Sequence, residues 1–465
     1  MEKGEGSSQR NTMSQDENLA TIIEHMMIDQ DEESDAEIEK IENASLNDRG
    51  TNEENLGSSP IQEGKFVEEE LKIKKKKRVL MGLRCRVEDA ILGNYLLGKP
   101  TKKLAPDEKS NAVEELKETT LWGVPLLPSK GDEGTNIVLL KFLRAKNYNI
   151  SDAFHLLQKT LKWRKEFKAD EILDEELGND LEKVVYLDSK DREGHPLYYN
   201  VNGAFKDKEL YRKIFKTEEN FKRYLRWRVQ YIEKGIKELN FKNGGTDSIV
   251  QITDLKNTPR TSEKKAWMVL QENYPELIHR NIIINVPFWF YVSHLLSSRL
   301  KVRSHRSHSK FIFARPSRAT ETLLKFVAPE NLPVEYGGLK REKDPEFSPE
   351  DKVTELTIRG NASASILIPT SEVGVSVVWD MTVVGWNVGF KEEFIPDDEG
   401  SYRILLQSDK DRKGGESLRN SFYINEAGKI MITIDNGTLK KKRVLYRYRT
   451  KPTAPSYIVR KELGI

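Results

Sequence analysis

Apolar positions recur along the chain in different rhythms, and the changes of rhythm mark its parts. Ile282, Ile283, Ile284 and Val286 form a near-continuous apolar run, which suits a strand buried on both faces of a parallel sheet. Pro287 closes the run. Phe288, Tyr291, Val292, Leu295 and Leu296 then return at helical spacing, and Phe311 to Ala314 reads as the next strand. The segment therefore predicts strand, crossover helix, strand. Upstream, Val184 to Leu187, Leu197 to Val201 and Ser248 to Thr253 are candidate strands, the first two joined through the turn signal Asp191-Arg192-Glu193-Gly194. Phe221, Tyr224, Leu225, Val229, Ile232 and Ile236 mark a long amphipathic helix, and Ser262 to Asn273 a further one. Strands separated by helices imply a mostly parallel α/β sheet with right-handed crossovers.

Before this region, Trp122 to Phe167 reads as a helical subdomain. Leu139, Phe142 and Leu143 mark one helix. Phe154, Leu157 and Leu161, with Trp163 and Phe167 beside them, mark the next, which Ser151 or Asp152 is placed to cap. After about Val353 the rhythm shortens. Val373, Val375, Val377, Trp379, Met381 and Val383 alternate strictly, the period of a half-buried strand. Similar segments are 357–359, 363–368, 404–407, 420–424, 429–434 and 443–448. About seven strands without helices predict an antiparallel β-sandwich.

Charge refines the division. Residues 1–70 hold 5 Lys/Arg against 20 Asp/Glu, a net of −15, which leaves 71 against 54, a net of +17, for the remainder. The acidic head has too little apolar content to offset its ordering entropy and is expected to be disordered. The basic remainder favours anionic partners. The single cysteine, Cys85, cannot form an internal disulfide, in keeping with a reducing compartment. Ile282 to Val292 is about half the length of a bilayer-spanning helix and contains a proline, so the expectation is a cytosolic protein that visits a membrane surface. Lys72 and Lys74 to Arg78 form a basic run on a helix. It reads as a grip on anionic lipid, a nuclear address or a solvated helix end. Lys99 to Thr120 reads as a linker.

Five stretches carry a resemblance to the CRAL-TRIO lipid-binding domain and its N-terminal helical extension. They are Leu140-Lys-Phe-Leu-Arg-Ala145, Leu161-Lys-Trp-Arg-Lys-Glu-Phe167, Gly194-His-Pro-Leu-Tyr198, Ile252-Thr-Asp-Leu-Lys-Asn257, and the segment from Gln271 to Lys310 closed by Pro329-Glu-Asn-Leu-Pro-Val-Glu-Tyr-Gly-Gly338. The C-terminal part resembles a GOLD domain through Val378-Trp379-Asp380, Val384-Gly385-Trp386 and Tyr446-Arg-Tyr-Arg-Thr-Lys-Pro452. An acidic head, CRAL-TRIO and GOLD in that order is the layout of plant patellins. The expected boundaries are 1–66 acidic tail, 67–120 basic helix and linker, 121–181 helical subdomain, 182–345 lipid-binding domain and 346–465 GOLD domain.

The resemblance implies a pocket for one hydrophobic lipid under a movable gate helix. Here the gate falls on 288–300, with Phe288, Trp289, Phe290, Tyr291 and Leu295 as its greasy surface. A lipid withdrawn from a bilayer loses roughly 0.8 kcal/mol for each CH₂ that meets water, so only a closed apolar cavity can hold it. The family's phosphatidylinositol head-group residues fall on Lys146, Glu276 and Lys310, with Ser304 or Ser307 as the hydroxyl partner. A cation holds phosphate, and a carboxylate accepts from inositol hydroxyls. Arg303-Ser-His and Arg306-Ser-His form a tandem repeat that departs from the family pattern. Arg299, Lys301, Arg303 and Arg306, and Lys440, Lys441, Lys442 and Arg443 at the far end, are the basic residues expected to meet a membrane. The tyrosines around Arg447 and Arg449 suggest the same, or else an edge strand guarded by charge. His294, His305 and His308 lack a nearby Cys or carboxylate, so no metal site is assigned.

No Gly-rich phosphate loop, nucleophile elbow or metal cluster is present, and Asp191 and Asp254 near strand ends have no evident catalytic partner. The expectation is no enzyme, no cofactor beyond a bound lipid and no nucleic acid. Two functions follow from the resemblance. One is a peripheral-membrane phosphoinositide-binding and lipid-exchange protein acting in membrane trafficking or cell-plate formation. The other is an adaptor in which lipid is structural and the GOLD domain and acidic tail recruit protein partners.

Overall fold

The computed structural model describes residues 60–98, 106–178, 180–258, 270, 272–286 and 310–452, with side chains from residue 71 onward. Residues 1–59 of the acidic head, most of the 262–273 helix and the 288–300 gate lie outside the described residues, whereas 60–66, expected to be disordered, begin a helix. Two compact units are present. One takes in the chain up to Asp188 and Glu193–Pro316, the other Ser189–Arg192 and the chain from Ser317.

The first unit begins with α1 (Pro60–Leu92), which buries Leu83, Val87, Ala90 and Ile91 at helical spacing. The stretch read as a linker holds a helix, α2 (Pro106–Lys117), that buries Leu116. One apolar contact in twelve residues is too faint a stripe to register as periodicity. A short hairpin, β1 (Thr120–Leu121) with β2 (Val124–Pro125), leads to α3 (Glu133–Ala145) and α4 (Ile150–Phe167). The cap of α4 is Asn149, whose side chain accepts from the N–H groups of Ser151 and Asp152 at 2.9 and 3.2 Å. The two residues expected to cap are thus the ones capped.

Strands β3 (Val185–Lys190) and β4 (Pro196–Val201) follow. Then come α5 (Lys208–Phe215), α6 (Glu218–Lys237), β5 (Ile249–Asp254), β6 (Ile278–Ile284) and β7 (Phe311–Phe313). They form one five-stranded sheet in the order β3-β4-β5-β6-β7. The last four strands are parallel, and β3 joins β4 by a connection too short for anything but a hairpin. Register sets Leu197, Tyr199, Val250, Ile252, Ile282, Ile284 and Ile312 on one face. The other face carries Tyr198, Asn200, Gln251, Thr253, Asn281, Ile283, Phe311 and Phe313. Helix α6 packs on this second face, where Arg228 donates to the Asn200 side chain at 3.2 Å.

The second unit contains α7 (Ala319–Phe326) and eight strands: β8 (Thr354–Ile358), β9 (Ala362–Thr370), β10 (Val375–Val383), β11 (Val388–Pro396), β12 (Ile404–Arg412), β13 (Leu418–Tyr423), β14 (Gly428–Asn436) and β15 (Lys442–Pro452). Two antiparallel sheets result, β13-β10-β15-β8 and β12-β11-β14-β9. Strand β11 is the one absent from the periodicity. Its Lys391-Glu392-Glu393 reads as a loop, yet Glu392 is fully buried and accepts from Trp379 Nε1 at 3.0 Å and Asn420 Nδ2 at 2.9 Å. Strand β15 is internal to its sheet over residues 442–446, where β8 pairs with it, so the edge-strand reading does not hold for Lys442 and Arg443; from Arg447 onward its strand partner is β10 alone among the described residues.

Strand β10 alternates in sequence but is buried on both faces. The preceding segment covers its outer side. Arg419 grips Asp380 with two bonds of 2.7 Å and Asp344 with two of 2.6 Å. Arg447 adds bonds of 3.1 and 3.2 Å to Asp380 and one of 2.8 Å to the Leu339 carbonyl. Phe347 lies beneath both guanidiniums. Burial alone would raise the Asp344 carboxyl, but hydrogen bonds from Arg419 and the Glu346 and Phe347 N–H groups hold it at about 2.

Asp380→Ala strands two arginines and is expected to cost the second unit about 3–5 kcal/mol in urea unfolding followed by tryptophan fluorescence. The folded pKa of Asp344 lies below its unfolded value of about 3.9. Its contribution is therefore complete above about pH 4 and disappears as pH falls toward 2. In Asp344→Asn that acid-range loss of stability should be visibly shallower than in wild type.

Candidate functional site

The site is built outward from Tyr274. This tyrosine ends the segment before β6 and is 5 % exposed. Its hydroxyl donates to Glu233 Oε1 at 2.5 Å, and the same carboxylate takes bonds of 2.6 and 3.2 Å from Arg164. Arg164 also reaches Asp170 at 2.6 Å. Burial, reinforced by the Glu233 charge, pushes the Tyr274 hydroxyl well above its ordinary range. Burial would lower Arg164, but Glu233 overcomes it and keeps the guanidinium charged. The ring of Tyr274 stacks near Trp122 (6.5 Å between centroids) and meets Trp163 edge-on (5.7 Å). Helices α4 and α6 thus pin one turn of backbone.

Two residues on, Glu276 adopts a left-handed conformation, φ 53°. Its carbonyl accepts from Lys141 Nζ at 3.1 Å. Lys141, on α3 and 2 % exposed, also pairs with Asp247 at 3.3 Å, and burial pulls its ammonium below the usual range. With its backbone held, Glu276 directs its carboxylate to Lys310 Nζ at 2.5 Å. The two side chains are 11 % and 19 % exposed. Lys310 immediately precedes β7, so parallel pairing of β6 with β7 brings together residues distant in sequence. The pair lies at the amino ends of these strands, opposite to the carboxyl-end crevice where open α/β sheets take nucleotides.

Lys146 is the C-cap residue of α3 and is exposed, and its ammonium makes no hydrogen bond or ion pair among the described residues. Ser304, Ser307, the gate residues Phe288, Trp289, Phe290, Tyr291 and Leu295, the basic residues Arg299, Lys301, Arg303 and Arg306, and the histidines His294, His305 and His308 lie outside the described residues. In the second unit, Lys440 and Lys441 are exposed. Lys442 instead donates to the Gly385 and Trp386 carbonyls, and Arg443 forks onto Glu355 at 2.6 and 2.8 Å. Arg447 is 4 % exposed and committed to its carboxylates. Asp254 accepts from Asn285 Nδ2 at 2.6 Å and the Lys256 N–H at 2.8 Å, a structural tie between the turns after β5 and β6.

One polar feature escaped the sequence reading. Asn200, Gln251, Thr253 and Asn281 are all buried on the same face of the sheet. Gln251 donates to Thr253 at 3.2 Å, and Thr253 reaches Asn281 at 3.5 Å. Asn200 keeps a buried amide N–H without a partner among the described residues. The track otherwise meets its hydrogen-bonding needs among its own members and with Arg228 of α6. Its signal was the recurrence of polar residues at alternate positions in buried strands.

The chain matches family models for the CRAL/TRIO domain over residues 181–338 and its N-terminal domain over 102–159, and for the Patellin-1-like C-terminal GOLD domain over 359–442. It is 49% identical over 348 residues to Patellin-4 of Arabidopsis thaliana, a match covering 73% of this chain and 63% of that protein. Patellin-6 of the same plant is 41% identical over 363 residues, 76% of this chain and 88% of that one. A phosphatidylinositol transfer protein of Meyerozyma guilliermondii is 31% identical over 173 residues, 34% of this chain and 51% of that one. The chain therefore spans just under two thirds of Patellin-4.

Tyr274→Phe removes one charged hydrogen bond from Glu233 while keeping the ring. It is expected to lower stability by about 1.5–3 kcal/mol, read from the shift of the urea midpoint at constant slope.

Proposed function

The chain belongs to the patellin family, CRAL-TRIO proteins with a C-terminal GOLD domain, and from that premise we propose that it binds a phosphoinositide and exchanges it with membranes. The observation that carries this reading is the half-sheltered Glu276–Lys310 pair. An ammonium for a phosphate and a carboxylate for a ring hydroxyl stand side by side, on rigid backbone. Lys146 and a serine of the Ser304/Ser307 loop complete the head-group contacts in this proposal. The apolar 288–300 stretch gates the acyl chains, and Arg299, Lys301, Arg303 and Arg306 capture the anionic surface together with exposed Lys440 and Lys441. The similarity to a fungal phosphatidylinositol transfer protein supports an inositol phospholipid as the ligand class. Among the described residues no helix is long and apolar enough to cross a membrane. Peripheral attachment from the cytoplasm, in trafficking or cell-plate formation, is the setting that the patellin resemblance suggests. No enzymatic step is part of this proposal.

A second reading, an adaptor with structural lipid, is favoured by apolar side chains exposed on the second unit. Tyr402 is 90 %, Leu405 58 % and Leu439 87 % exposed. Here the lipid stays bound and the GOLD domain recruits proteins.

Co-sedimentation with liposomes, neutral against phosphoinositide-containing, at low and moderate salt, tests the first reading. Wild type should bind phosphoinositide vesicles selectively at moderate salt. Lys310→Glu, which sets two carboxylates together, should weaken that binding at least tenfold, about 1.4 kcal/mol. Salt-labile binding to any anionic vesicle, indifferent to Lys310, would reduce the interaction to surface charge. Bound lipid without transfer between vesicles would favour the adaptor.

A further inference from the structure

We propose that Glu193, His195 and His279 form a Zn²⁺ site at the edge of the sheet in the first unit. His195 leads into β4, and His279 is the second residue of β6. The sequence places them far apart, and no ligand-spacing motif joins them. The fold nevertheless stacks their rings, with centroids 4.2 Å apart and planes 12° from parallel. Glu193 stands beside both. Its Oε2 lies 3.9 Å from His195 Nδ1 and 3.6 Å from His279 Nε2. One donor atom from each residue falls within 4.8 Å of the other two.

Those separations exceed a hydrogen bond between the carboxylate and these two nitrogens. They are somewhat wider than the separations around a bound metal, and the two imidazole donors lie within 4.8 Å of each other. A tetrahedral Zn²⁺ with ligands at about 2.0–2.2 Å sets the ligand atoms roughly 3.3–3.6 Å apart. Each imidazole lone pair lies in its own ring plane, so convergence on one ion requires the rings to turn out of their stack, and His279, at 34 % exposure, is the one with room to turn. Gly194, at φ 92°, supplies the turn that brings Glu193 to the Nε2 atom of His279 while His195 stacks on its ring. Two imidazoles and a carboxylate suit Zn²⁺ and its borderline neighbours in preference to Mg²⁺, which takes oxygen ligands and keeps its water.

Access is graded across the site. The side chain of His195 is 11 % exposed, that of His279 34 % and that of Glu193 58 %. His195 is the sheltered ligand, and the exposed Glu193 side is the one from which an ion and a water as fourth ligand would arrive. Bound metal would tie the β3–β4 connection to the first residues of β6, across the intervening β5. His279 lies three positions after Glu276, so the ion would also restrain the segment that carries the lipid-site carboxylate.

The test uses the full chain, freed of metal with chelator and then titrated with Zn²⁺. Calorimetry should show one site, and the melting temperature should rise with Zn²⁺ concentration as mass action requires. Co²⁺ in place of Zn²⁺ should give the visible absorption of a four-coordinate site with nitrogen ligands. His279→Ala and Glu193→Gln, both on partly exposed positions, should each weaken Zn²⁺ binding at least tenfold, because losing a ligand costs no less than losing a residue that orients one. Circular dichroism establishes that each variant is folded, and either one suffices for the test. Absence of one-site Zn²⁺ binding, equal stabilisation by Mg²⁺, or unchanged affinity in a folded variant, which would move the ion to other histidines, overturns the proposal.

Discussion

The first unit depends on one buried carboxylate. Glu233 sits on α6 and takes bonds from Arg164 of α4 and from Tyr274 just before β6. Each partner is itself sheltered, so removing any member leaves charge or hydrogen-bonding capacity stranded at low dielectric. The geometry is correspondingly unforgiving. The consequence extends beyond stability, because the turn containing Tyr274 also presents Glu276. A helix-to-helix ion pair thereby sets where a strand begins and which way its first acidic side chain points.

The second unit applies the same economy of charge differently. Its sandwich core is apolar, with Trp379, Met381, Phe390 and the β14 isoleucines buried together. On the outer face of β10, however, Asp380 and Thr382 are as buried as the core. The chain between Leu339 and Ser348 achieves this by laying Asp344 and Phe347 over Arg419 and Arg447. A sheet face that by itself would be wetted becomes an interior, held by alternating acids and bases.

Much of this was legible in the residues because burial leaves a rhythm. The run Ile282–Ile284, the stripe of α6 and the alternation of β10 all identified their elements. What failed to show was every feature whose cause is a neighbour. Helix α2 contributes too small an apolar face to be periodic. Strand β11 hides behind Glu392, a residue that belongs in a core only because Trp379 and Asn420 supply its bonds. The cap on α4 fell on Asn149, two places before Ser151 was expected to act, since adjacent polar residues compete for one role. Glu276 and Lys310 were matched by motif, but only parallel pairing of β6 and β7 makes them partners. Glu193, His195 and His279 left no trace in spacing, because a turn and a non-adjacent strand assemble them.

If Glu276 and Lys310 hold a lipid head group as proposed, their contact also governs selectivity. With no guest, each group is the other's counterion. An arriving anion alone would draw the ammonium away from a largely buried carboxylate. A polyol alone would face a carboxylate already satisfied. Only a molecule that brings negative charge and hydroxyl donors together, at the right separation, replaces both halves of what it breaks. In the proposed head-group site the resting pair would therefore act as a two-key lock, requiring both chemistries of a ligand at once.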